Sequence, residues 1–240
     1  MPIQTVEPQR LYRQIAEQLR QLMASGEFAV GSRLPAERDL AVQLGVSRPS
    51  VREALIALEV EGMIEVRTGS GIYVQSTTAA KRPPAHTASD TSTEWGPLEV
   101  MSARILVESE VAALAAQNAQ RQNIQAIRDG LEKMKQEAAR HEMPREGDEA
   151  FHEAIAQACG NSVLHDTVQR FWIARKGPLF ARLGDYFEHP ASWQAAIAEH
   201  QAVLDAIEAG DANAARKAMQ KHLKQAHKRY SASWRRAPAR

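Results

Sequence analysis

Apolar residues in the first quarter of the chain recur at helical spacing in three separate blocks. Leu11, Tyr12, Ile15, Leu19, Leu22 and Met23 form the first stripe, which predicts a helix over 11–25 closed by Gly26. Gly31 and Pro35 bracket a turn, and 36–44 reads as a second helix ended by Gly45. Ser47 fits an N-cap for a third helix reaching about residue 61, with Val51, Ala54, Leu55 and Leu58 on one face and Gly62 as its stop. Ile64 and Val66, a turn over 68–71, and Ile72, Tyr73 and Val74 then predict a small β-hairpin.

Beyond the hairpin the pattern changes twice. Residues 76–96 hold few large apolar side chains, the pair Pro83 and Pro84, and many Ser and Thr, which is the composition of a linker. Further on, helical periodicity runs almost to the end, with helices near 97–117, 121–140, 144–159, 162–176, 192–209 and 211–234. Gly160 and Gly210 act as stops and Asp211 as an N-cap. No strand-like alternation appears there. The expected fold is therefore mainly α. It comprises three helices plus a hairpin over 1–75, a linker over 76–96, and an all-α antiparallel helical bundle over 97–240.

Composition narrows the class. Hydrophobic content of 44% and charged content of 25% are ordinary for a soluble globular protein. No apolar run approaches the ~20 residues of a membrane span, nothing resembles a signal sequence, and the single Cys159 fits a reducing compartment. A cytoplasmic protein without a membrane partner is expected. Net charge is +1, and residues 1–75 carry eight Arg against nine Asp and Glu. Any nucleic-acid binding by this part has to come from individually placed arginines, not from a bulk positive field. Residues 221–240 carry seven Lys and Arg and no acid, a basic end suited to solvent or to auxiliary DNA contact.

The arginines of the third helix suit that role. Arg48 and Arg52 are four apart, on one helical face, and an arginine on a helix in the major groove can bond two guanine acceptors. Ser47 and Ser50 in the first turn can donate to phosphate, and Arg38 in the preceding helix is a third arginine contact. A glycine-tipped hairpin at Gly69 and Gly71 lets backbone approach DNA closely. Two arginines on a helix are more often a solvated face; their register with Arg38, the turn and the hairpin argues for DNA. Residues 10–74 resemble the winged helix-turn-helix of GntR-type bacterial transcription regulators in LPAERDLA, GVSRPSVREAL and the Gly69/Gly71 hairpin. The resemblance implies that Arg38, Arg48, Arg52 and Gly69 read and clamp palindromic operators on double-stranded DNA, and that the protein is a homodimer. Pro49 departs from the Thr that some relatives carry, which removes a donor.

A second constellation lies in the helical part. Asp148 and His152 sit one turn apart beside Phe151, Ile155 and Cys159. His200 interrupts the stripe Trp193, Ile197, Leu204, Ile207, and His222 interrupts Ala215, Ala218, Met219, Ala226. Singly, each reads as a core histidine bonded to a carbonyl. Jointly, one carboxylate and three imidazoles inside apolar stripes suit a shared divalent cation. Residues 97–230 resemble the FCD effector domain of FadR-like GntR regulators, whose Asp-x-x-x-His, Glu-His and His-Leu pattern matches Asp148, His152, His200 and His222. That resemblance implies a zinc or nickel ion that helps hold a small carboxylate effector. Arg104, four before Glu108 and in line with Val107, Val111 and Leu114, is expected to face the cavity and pair with the anion, against the alternative of a surface salt bridge. Arg175 is a second candidate for the anion, and Asn161 either reaches the cavity or caps the next helix.

VREALIALEVEGMIEVRTGSGIYV, WGPLEVMSARILVESEVAALAA and GDEAFHEAIA further resemble bacterial regulators of hexuronate catabolism, which implies a sugar acid as effector and a repressor it releases. Two alternatives stand beside this reading. One is a metal-dependent hydrolase or lyase using the same Asp/His site, for which no second carboxylate stands at a spacing that nominates a base, Glu153 and Glu199 being the residual candidates. The other is a purely structural metal.

Overall fold

The computed structural model describes residues 10–67, 69–78 and 95–231. Residues 1–9, Thr68, most of the expected linker with His86, and the basic end from 232 lie outside the described residues. The chain divides into two compact units between Pro97 and Leu98.

The first unit holds α1 (Leu11–Ala24), α2 (Glu37–Leu44), α3 (Arg48–Val60), β1 (Ile64–Arg67) and β2 (Gly71–Val74). Helix α3 is its centre. Both α1 and α2 pack on α3, and Val51, Ala54, Leu55, Ile56 and Leu58 are buried against Ile15, Leu19, Met23 and Leu40. The turn between α2 and α3 closes as the sequence suggests: Gly45 takes the left-handed conformation, and Val46 N–H donates to Ala41 O at 3.0 Å. The antiparallel hairpin pairs Ile64 with Val74 and Val66 with Ile72, four buried residues that close the core. Residues 31–34 extend it, with Leu34 N–H donating to Ile72 O at 2.8 Å.

The second unit is all-α in its described residues: α4 (Pro97–Asn118), α5 (Arg121–Ala139), α6 (Arg145–Ala158), α7 (Ser162–Arg175), α8 (Pro178–Phe187), α9 (Pro190–Glu208) and α10 (Ala212–Tyr230). Pro97 itself groups with the first unit. The main packings are α5 on α6, α9 on α10, α5 on α9 and α6 on α7. Between α5 and α6 two glycines bring backbones together. A Cβ on Gly147 would collide with the Met134 backbone, and one on Gly130 would come 2.7 Å from Phe151 N. This approach fixes α6, which carries Asp148 and His152.

Helix α8 has no counterpart in the sequence periodicity, which predicts no element over 177–191. Gly177, Pro178 and Gly184 look like breakers there, yet Pro178 occupies the first turn, where proline is favoured. Leu179, Phe180, Leu183, Tyr186 and Phe187 are then buried.

Candidate functional site

In the first unit the outward face at the start of α3 is narrow. Residues 51–58 are all buried, so the helix is open only in its first turn and at its far end, Glu59 and Val60. Ser47 Oγ accepts from Ser50 N–H at 3.2 Å, the cap that starts α3, and the two hydroxyls lie 2.8 Å apart. Ser47, Arg48, Arg38 and Gly69 are exposed, and Ser50 is half-buried.

Arg52 departs from the expectation. Its position one turn from Arg48 suggests an open groove-facing side chain, but it is 1% exposed and clamped on Glu37 of α2. Nε donates to Oε2 at 3.0 Å, and Nη2 to Oε1 at 2.7 Å and to Oε2 at 2.8 Å. A carboxylate placed under the helix start captures the guanidinium and lets it bury its charge. Arg48 Nε also donates to Glu37 Oε1, at 3.1 Å. Sequence reasoning missed Glu37, although an acid in the first turn of α2 ahead of two arginines was available as a signal. On the hairpin, Gly71 has φ +142° and the Arg33 side chain lies across it, so a Cβ would strike that guanidinium. Gly71 therefore makes room for Arg33, a use the sequence did not suggest.

The second unit brings Asp148, His152, His200 and His222 together. One ligand atom from each lies within 4.8 Å of all the others. His200 Nε2 is 3.0 Å from Asp148 Oδ1 and 3.3 Å from His152 Nε2. What occupies the other ring nitrogens decides the tautomers. His152 Nδ1 donates to Glu108 Oε2, His200 Nδ1 to the Ala196 carbonyl at 2.6 Å, and His222 Nδ1 to Glu199 Oε2 at 2.9 Å. All three Nε2 atoms are thereby left with lone pairs, and they face one another and a carboxylate in a buried site. Lone pairs so close repel unless a cation lies among them, so these residues fit a divalent metal. Of these outer partners the sequence singles out Glu108 and, only as a base for the hydrolase alternative, Glu199; the Ala196 carbonyl carries no signal.

Electrostatics prepares the same state. Burial lowers the His152 imidazole below its ordinary value despite Glu108 beside it. Burial, joined by the charges of His200 and His152, holds His222 well below its own. Burial alone would raise Asp148, but Arg175, His200 and His152 together keep it well below the usual carboxylate range. Glu108 likewise overcomes its burial through Arg104 and His152, and is held at about 2. Neutral His152 and His222 imidazoles and an ionised Asp148 are what a metal binds.

Beside this cluster is a cavity of about 140 Å³ lined by residues including Arg104, Arg175, Trp172, Trp193 and Arg229. Arg104 is 1% exposed, and its Nε donates to Glu108 Oε1 at 2.5 Å, so the surface-pair alternative falls. Arg175 Nη1 donates to Asp148 Oδ2 at 3.1 Å. Both guanidiniums stack on Trp172, at 4.7 and 4.2 Å from its ring. Three buried donors of the lining, Trp172 Nε1, Trp193 Nε1 and Arg229 Nε, have no hydrogen-bond partner among the described residues.

Residues 11–74 match the model of bacterial regulatory proteins of the gntR family, and residues 99–225 match that of the FCD domain. The chain is 37% identical over 227 residues to the Exu regulon transcriptional regulator of Escherichia coli K12, covering 92% of this chain and 84% of that protein. It is 35% identical over 227 residues to the Uxu operon transcriptional regulator of the same organism, covering 92% and 87%. The chain belongs to the gntR family. A solved structure of Lar, which controls the expression of the Listeria monocytogenes agr system, is similar at TM-score 0.50 and 15% identity, covering 94% of this chain and 98% of that one; the likeness concerns the fold alone.

This gntR-family chain is thus a DNA-binding transcriptional regulator with a winged helix-turn-helix and a helical FCD domain. It is not an enzyme, and the hydrolase or lyase alternative has no support among its relatives. The FCD match spans all four candidate ligands and both cavity arginines. Asn161 does not join them. It is exposed, absent from the cavity lining, and caps α7 by accepting from Val163 N–H at 3.0 Å and Leu164 N–H at 3.2 Å. Its capping chemistry outcompetes a reach into the cavity because two helix-terminal donors are within one turn. His165 pairs with Glu153, and His189 caps α9, accepting from Ser192 N–H at 3.3 Å.

Proposed function

We infer that this regulator is a repressor that binds a palindromic operator as a homodimer in the cytoplasm and is released by a small carboxylate of the hexuronate class. The carrying observation is the junction, in one buried place, of three Nε2 lone pairs and Asp148 with two guanidiniums stacked on Trp172. A zinc or nickel ion held by Asp148, His152, His200 and His222 supplies a Lewis-acidic partner for a carboxylate. Charge favours the same ligand. Asp148 and Glu108 cancel Arg104 and Arg175, so a dication leaves the site positive and suited to an anion. The partnerless Trp172, Trp193 and Arg229 donors suit an acid that also bears oxygen acceptors, as a sugar acid does. The relatives that regulate the Uxu operon and the Exu regulon agree with the hexuronate resemblance in the sequence.

The test is thermal unfolding of the purified chain against hexuronates, lactate and other small acids, with and without chelator, alongside operator gel shifts. A uronate at about a hundred times its dissociation constant adds roughly 2.7 kcal/mol. The expected result is a raised midpoint that chelation abolishes and loss of operator binding with the same acid. A midpoint lowered by chelator with no acid responding assigns the metal a structural role and sinks the effector reading.

A further inference from the structure

We propose that Glu37 is a positioning residue for operator reading. It holds Arg48 so that only its two terminal nitrogens reach the base edge, and it withholds Arg52 from DNA. The argument begins with burial. Glu37 is 8% exposed and Arg52 1%, while the Arg48 side chain is 48% exposed. One carboxylate thus serves two arginines of opposite environment. Arg52 takes both oxygens and fixes the carboxylate in place. The fixed carboxylate then accepts from Arg48 Nε, and from no terminal nitrogen of Arg48.

That choice of nitrogen matters. A guanidinium can meet a two-acceptor edge such as guanine O6 and N7 side-on, through Nε and one Nη, or end-on, through both Nη groups. Glu37 occupies Nε and leaves the end-on pair. It also costs Arg48 the freedom to swing onto the nearest phosphate, the sequence-independent contact an unrestrained arginine makes. With residues 1–75 carrying more acid than base, this unit has little non-specific attraction to spend. A held Arg48 then raises discrimination between sequences more than it raises affinity.

The probes are a duplex recovered by selection from a random library with the wild-type chain, and a scrambled duplex of the same composition. Glu37→Gln alone leaves the Arg52 charge buried without a counterion, so it is combined with Arg52→Met, which removes the pair together and spares the fold. Four full-length proteins are compared: wild type, E37Q/R52M, R48A and the triple variant. E37Q/R52M is expected to lower the selected-over-scrambled affinity ratio by about tenfold, the scale of one bidentate base contact. Its binding to scrambled DNA should become steeper in salt by about one phosphate contact. Adding R48A should then leave that ratio where it is and take back the extra salt dependence. An unchanged ratio in E37Q/R52M overturns the proposal. So do losses that multiply when R48A is added, because Arg52 would then read DNA by itself. If the double variant melts below the assay temperature, Glu37→Asp decides. It keeps the charge but shortens the reach to Arg48, so the ratio should fall, and an unchanged ratio again overturns the proposal.

Discussion

Replacing Arg104 with Met tests whether the charge pair behind the candidate metal site contributes to stability. Arg104 and Glu108 are 1% and 2% exposed, one turn apart on α4, and Glu108 also receives His152 Nδ1–H. Burial pushes the Glu108 carboxyl up, yet Arg104 first and His152 second hold it at about 2, against 4.5 for an unperturbed glutamate. Each pH unit of that lowering corresponds to ~1.4 kcal/mol, so ionised Glu108 contributes on the order of 3 kcal/mol at neutral pH. Removing the arginine strands a buried carboxylate, and such losses run at ~3–5 kcal/mol. Arg104→Met should therefore melt roughly 10 °C below wild type by circular dichroism at pH 7. The sign with pH follows from the lowered value: this stability is present above about 4.5 and is lost as pH falls towards 2, so the gap between variant and wild type should close with acid. Arg104→Met/Glu108→Gln, which removes both charges, should recover most of the midpoint and still fail to respond to any acid. A single variant melting within a degree or two of wild type at pH 7, or a gap independent of pH, would refute the reasoning.

Three further outcomes follow from other contacts. Gly147→Ala drives a Cβ into the Met134 backbone, so it should cost several kcal/mol, as overpacking does, and weaken zinc binding measured by chelator competition; wild-type zinc affinity would show that α6 need not sit so close. Asn161→Ala should cost ~1 kcal/mol in chemical unfolding, the worth of a cap, and leave any effector response intact; loss of the response would restore Asn161 to the cavity. Trp172→Phe keeps a ring face for the two arginines but deletes a partnerless donor, so calorimetry should show effector affinity weaker by roughly fivefold, the scale of one neutral hydrogen bond; unchanged affinity would mean that Nε1 meets no ligand.

Much of this arrangement was legible because periodicity and chemistry agreed. Asp148 and His152 at four-residue spacing, and His200 and His222 within apolar stripes, could be read as convergent before any geometry was known. Spacing reports which face of a helix a residue occupies, but not what waits there. Arg48 and Arg52 share a face of α3, and only the fold shows that Glu37 takes one inward and holds the other at the surface. Asn161 had two readings in the sequence, and the local one prevailed because α7 supplies its N–H donors without any tertiary cost. Helix α8 was invisible because Pro178 and Gly184 suggest breaks, while its stability comes from burying five large side chains. The carbonyl of Ala196, which sets the His200 tautomer, carries no side-chain signal at all.

The glycine contact between α5 and α6 also bears on how a signal can leave the cavity. Side-chain interfaces can repack by changing rotamers, but two backbones in contact have no such cushion. Helix α6 is consequently a fixed jaw, and Asp148 and His152 stay where α5 holds them. His200 and His222 ride on α9 and α10, which meet each other through side chains such as His222 and Glu199. Tightening around a ligand therefore cannot come from closing the α5–α6 seam, where α6 serves as an anvil, and falls to contacts made by side chains.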